Sequence, residues 1–187
     1  MDLKLSWDLF IVVFFVIIVA YSLIIGRDNT IKVILGTYVA LVCADAIGGL
    51  IGQYFGGTVI LAQMAQEARF TGVDEAIVFT KVLIFILMVI LFAVKGAFDV
   101  GTARNSSVVG LVLHLFYSIC SAGLILSSVL VLVSGVSILS GGGAVNEALS
   151  QISNNSILVS AILHYHNLLF AIPSVAFLVH SLKGGEE

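Results

Sequence analysis

Every fourth residue from position 36 to position 56 is small: Gly36, Ala40, Ala44, Gly48, Gly52 and Gly56. Between them stand Tyr38, Val39, Leu41, Val42, Ile47, Leu50 and Ile51, with Asp45 the only charged residue. Residues four apart lie on one face of a helix, so the stripe forms a groove that another backbone can approach closely. In water, each such glycine would weaken the helix by about 1 kcal/mol relative to alanine. In lipid no water satisfies loose backbone groups, so the helix forms regardless. Lipid tails also remove the hydrophobic drive between helices, which leaves small residues as the packing surface. The stripe therefore predicts a spanning helix packed on a neighbour. A second reading adds a functional role for Asp45, which sits beside the groove.

Composition agrees with a membrane location. Hydrophobic residues make up 60% of the 187-residue chain and charged residues 10%, whereas a soluble domain carries roughly a quarter charged residues. One integral membrane domain, residues 1–187, fits this length, with short loops and no second folded unit. The net charge of −3 comes with no basic run, so neither nucleic acid nor a polybasic lipid contact is expected. Cys43 and Cys120 both lie in apolar runs and read as small buried hydrophobes, not as a disulfide or zinc framework. Near the start, Lys4 is offset by Asp2 and Asp8 and no clear small-residue cleavage site follows. The first apolar run therefore reads as a retained helix rather than a signal peptide.

The expected fold is all-α: a polytopic bundle of four spanning helices, followed by a C-terminal segment that is a fifth span or re-entrant. About twenty residues cross the hydrocarbon, and spans are predicted at 9–25, 31–54, 76–94 and 108–139. Trp7 and Tyr21 suit interfacial positions at the first of these. Gly26, Arg27, Asp28 and Asn29 read as a polar turn. Ile60, Leu61, Met64, Ala65 and Ala68 recur at helical spacing opposite Gln63, Gln66, Glu67 and Arg69. They predict a surface amphipathic helix at about 58–71, ended by Gly72 and the acidic pair Asp74 and Glu75. Lys81 and Lys95, near the two ends of the third span, are expected to reach the interface with their long stems. The 108–139 run exceeds one crossing, so it tilts, breaks or projects, and its small residues at 118–123 are candidates to face the 36–56 groove. Residues 140–155 form a Gly, Ser and Asn loop. The 156–180 stretch is apolar but holds His164, His166, Asn167 and the single proline, Pro173. It reads as a fifth span kinked at Pro173, a re-entrant hairpin or an interfacial helix, and periodicity does not choose among them.

No strong catalytic or cofactor pattern is present. There is no Walker loop, dinucleotide fingerprint, paired histidine-glutamate zinc motif or nucleophile elbow in the sequence. His164 and His166 are two apart, which sets them on opposite sides of a helix, and nothing in the sequence brings His114 to them. No catalytic residue, metal site or cofactor is expected. The triplets from Asn105 and Asn154 match a glycosylation pattern short enough to arise by chance. The candidate intramembrane polar site is Asp45, with His114 and Ser118 on the fourth span or Lys81 on the third as its neighbours. A carboxylate in lipid costs several kcal/mol unless paired, protonated or hydrated. It therefore marks either a stabilising pair or a proton or ion carrier. Counted from a helix start near Ile31, Asp45 lies about 20 Å deep, past the middle of a core about 30 Å thick.

Three places carry a family resemblance. Trp7 and Asp8 precede the first apolar run, followed by Gly26 and Arg27 and the 36–44 stretch. Residues 81–97 lead to a polar loop with Arg104, and Gly110 opens a long apolar helix. Asn155, Ser156, Ile157 and Leu158 then follow the last long span. Across residues 6–163 the chain resembles the colicin V production protein (CvpA-like) family. It departs from that family where residues 29–31 lack a second glycine, where His114 and Ser118 replace later glycines, and in the apolar tail at 168–182. The resemblance implies four spanning helices and a bacterial inner (plasma) membrane. It also implies an accessory or assembly role in toxin production or export and envelope maintenance, with no reaction to assign. A small transporter or channel component using Asp45 is the alternative. The expected partners are the lipid bilayer and other membrane proteins or further copies of the chain.

Charge sets the expected orientation. Arg27 and Lys32 flank the first loop, Lys95 and Arg104 the third, and residues 140–155 contain no basic residue. Basic loops stay cytoplasmic, so loops 26–32 and 95–107 are expected inside and the N-terminus outside. A cysteine introduced at Asn146 is expected to react with an impermeant reagent added outside, and one at Arg104 is not. The reverse pattern contradicts this topology.

Overall fold

A computed structural model describes residues 7–55, 73–95, 108–135 and 156–183. Among them are six helices and no strand: α1 (Trp7–Ile25), α2 (Arg27–Phe55), α3 (Val73–Lys95), α4 (Val108–Val133), α5 (Ile157–His164) and α6 (His166–Lys183). The first four are each long and apolar enough to cross a membrane. α5 and α6 pass the same test only as one span bent by 57°. The expected all-α bundle is borne out.

The helix boundaries follow local chemistry and correct several expectations. Gly26 alone makes the first turn, at a φ of 88° that a residue with a Cβ adopts poorly. α2 therefore begins at Arg27 rather than near Ile31, and the polar residues form its first turn, with Asp28 facing the positive helix end. Asp74 and Glu75 likewise sit in the first turn of α3, and Lys95 sits in its last. The acidic pair thus opens a span rather than closing an amphipathic helix, because carboxylates favour a helix N-terminus. The amphipathic segment at 58–71 lies outside the described residues, as do Gly56 and the loops at 96–107 and 140–155. α4 stops at Val133, where Gly135 takes a φ of 73°, short of the expected 139, although residues 136–139 lie outside the described set. The C-terminal break falls at Tyr165 and not at Pro173, which stands inside α6.

α4 is the hub and packs on all five other helices. α2 and α3 run antiparallel, with Gly36 opposite Phe92, Gly48 opposite Lys81 and Gly52 opposite Ile77. α1 also runs antiparallel to α4: Ile11 clusters with Leu126 near one end, and His114 reaches the Ser22 carbonyl near the other. Asp8 joins α1 to α5. Its carboxylate accepts from the Ser156 hydroxyl and from the Leu158 N–H, while the Ser156 oxygen caps α5 by accepting from the Val159 N–H. This end is the outer one in the orientation expected from the basic residues.

From there α5 descends along α1, where Val159, Leu158, Ile162 and Leu163 pack with Ile11, Phe14 and Phe15. α6 then crosses α4 toward α2. Two tyrosines hold it by its main chain: Tyr38 Oη donates to the Phe170 carbonyl, and Tyr117 Oη donates to that of Ala176. Pro173 brings no N–H to this helix, yet the helix continues through it.

Candidate functional site

The α2 stripe does what its spacing predicts and accepts a neighbouring helix, but that neighbour is α3. A Cβ built on Gly36 would stand 2.5 Å from the Cβ of Phe92, and one on Gly52 would stand 3.3 Å from Ile77. Ala40 and Ala44 are fully buried, in one cluster with Phe85 of α3 and Leu132 of α4. Of the small residues at 118–123 on α4, Gly123 is turned away from this groove and faces Leu169 of α6 instead.

Asp45 and Lys81 form the centre of the seam. Lys81 Nζ lies 2.7 Å from Asp45 Oδ1, and the two side chains are 9% and 1% exposed. The expectation that Lys81 snorkels to the interface is corrected. Lys81 lies opposite Gly48, and its stem crosses the bare face of that residue. A Cβ on Gly48 would stand 2.2 Å from Cγ, 2.9 Å from Cδ and 2.6 Å from Cε. Since Asp45 lies one turn further inward on α2, the side chain runs away from the outer end. With both groups out of water, the charge-assisted hydrogen bond to the carboxylate gives the ammonium its partner.

With α2 starting at Arg27, Asp45 is about 27 Å along a helix of 29 residues. The register of the seam sets it level with about residue 84, the midpoint of Val73–Lys95, so the pair lies within the α3 span and not at its end.

The other proposed neighbours of Asp45 are occupied elsewhere. His114 Nε2 donates to the Ser22 carbonyl, 3.1 Å away, which also accepts from Thr30 Oγ1. Ser118 Oγ donates to the carbonyl of His114, one turn back. His114 and Thr30 therefore join α4 and α2 to α1 at the Ser22 carbonyl, Ser118 bonds only within α4, and neither His114 nor Ser118 is hydrogen-bonded to Asp45. Sequence reasoning missed the tyrosine contacts to α6 and the Asp8 to Ser156 link. For the latter, a polar residue flanking each apolar run was the only available signal. No group of three His, Cys, Asp or Glu side chains converges among the described residues. A cavity of about 480 Å³ lies between α1, α3 and α4, lined by Phe14, Ile18, Val89, Val129 and other wholly apolar side chains. Phe85, which lines it, also belongs to the cluster packed on α2.

The fold and this site define a multi-pass α-helical membrane protein whose second and third spans are joined by a buried ion pair. Compared with known proteins, the chain matches no protein-family model, no curated protein and no solved structure.

Proposed function

We propose that this protein is a non-enzymatic accessory factor of the bacterial inner membrane. It would assist secretion or envelope maintenance in the manner of the colicin V production proteins it resembles. The observation that carries this reading is the closed Asp45 to Lys81 pair. Each charge answers the other at 2.7 Å, and the stem between them fills the groove at Gly48. That arrangement suits a clasp between two helices. A carrier would need a carboxylate that exchanges its partner for protons or ions, which is the transporter reading. The test has two arms. In a strain lacking the protein, secretion and envelope integrity are measured, and the tagged protein is purified in mild detergent to identify what accompanies it. A secretion or envelope defect, together with co-purified membrane components of those processes, is the expected result. An intact envelope and secretion, with proton or ion flux through the protein reconstituted in vesicles, would replace this reading with the transporter one.

A further inference from the structure

The bend between α5 and α6 carries polar groups where hydrocarbon is expected. Tyr165 lies nine residues past Ser156, about 13 Å along the chain at helical rise, or near half the depth of a core about 30 Å thick. Packing agrees with that depth. Leu163 sits in one cluster with Phe14 and Phe15 of α1, and Leu169 meets Gly123 in the middle of α4. At this level His164, Tyr165 and Asn167 are all exposed, with Tyr165 57% so. The ring of His164 stands edge-on to that of Tyr165, and the His166 ring nitrogen Nδ1 donates to the Leu163 carbonyl. The Asn167 amide has no hydrogen-bond partner among the described residues. The exposed residues that follow this notch on α6 are mostly apolar, Leu168, Ile172, Val175 and Leu178, and the exposed Ser174 hydroxyl is bonded within its own helix. Lipid tails offer no donor or acceptor, so polar side chains at this depth face protein or water.

We propose that this notch is the contact surface of a two-fold dimer of the chain, with Asn167 meeting Asn167 of a second copy across the axis. The chemistry of the patch selects that occupant. Residues 156–182 contain no Asp, Glu, Lys or Arg, so there is no charge for an oppositely charged partner to match. An amide carries both a donor and an acceptor, so two copies of Asn167 related by a two-fold axis satisfy each other. His164 and Tyr165 also combine donor and acceptor in one side chain. Such a contact is isologous and closes at two subunits. It uses the α5 and α6 face and leaves the α2 to α3 seam untouched, so it holds whatever the cellular role.

The full-length protein, reconstituted in phospholipid vesicles with donor and acceptor fluorophores on its N-terminus, reports association by energy transfer as lipid dilutes it. Wild type is expected to show a dimer, and Asn167→Leu to raise its dissociation constant about tenfold or more, the loss of two interhelical hydrogen bonds. Asn167→Gln, which keeps donor and acceptor, is expected to retain most of the association. Leu111→Ala, on the exposed side of α4, is expected to leave it unchanged. In a Cys43→Ser, Cys120→Ser background, a spin label replacing Leu168 is expected to show one short distance between copies. A wild type that stays monomeric at every lipid dilution, association equal in Asn167→Leu, or a label at Leu168 with no short distance overturns the proposal.

Discussion

Lys81→Met is expected to destabilise the bundle by about 3–5 kcal/mol, the cost of leaving one member of a buried ion pair without its counterpart. Asp45 is 2% exposed, so water cannot take over from the ammonium without opening the seam. Asp45→Leu is expected to cost a similar amount, because it strands the Lys81 cation against Gly48. Asp45→Asn is milder, since the amide oxygen still accepts a hydrogen bond. The double replacement, Asp45→Leu with Lys81→Met, removes both charges while keeping apolar volume, and is expected to recover most of the loss. Thermal unfolding in detergent across this cycle gives the coupling directly. Single variants as stable as wild type would mean that the pair holds nothing together.

The second large effect is expected at Gly48. Gly48→Ala places a Cβ 2.2 Å from Lys81 Cγ, and the stem cannot swing away because its far end is held on Asp45. Either the helices separate or the pair breaks, with an overpacking cost of about 1–3 kcal/mol and more for Gly48→Leu. Three neighbours grade the effect. Gly52→Ala meets only Ile77 Cδ1 at 3.3 Å, and Gly49→Ala meets nothing within 4 Å, so the first is expected to be mild and the second neutral. Leu50→Ala, on the exposed face, is also expected to be small. The damage from Gly48→Ala should shrink when Lys81 is already alanine, because the clash is with that stem. Equal unfolding temperatures for Gly48→Ala and Gly49→Ala would contradict the packing described.

These two positions show what one sequence reveals. The period-four run of small residues exposes the packing face of α2, since that spacing repeats whatever covers it. It does not reveal which helix lies there, because register between helices is a property of two segments at once. The small residues of α4 looked as suitable as any, and α3 fills the groove with a phenylalanine, a lysine stem and an isoleucine. Lys81 was legible as one of the candidate partners of Asp45. Its direction was not, because the usual preference of a lysine near a span end is outward. The bend at Tyr165 was hidden behind Pro173, the stronger breaker in the sequence. Tyr165 has no unusual conformational preference of its own, and the bend follows from α5 lying on α1 while α6 turns to meet Tyr38 and Tyr117.

The central claim is that Asp45 and Lys81 join α2 to α3 and do not move a proton or an ion. The most direct test is to express the charge-free pair, Asp45→Leu with Lys81→Met, at wild-type levels in cells lacking the protein. After confirming its fold by unfolding temperature, secretion and envelope integrity are scored. A clasp is replaceable by apolar packing, so this variant is expected to restore both. A well-folded double variant that restores neither would show that the charges themselves do the work, and would contradict this account.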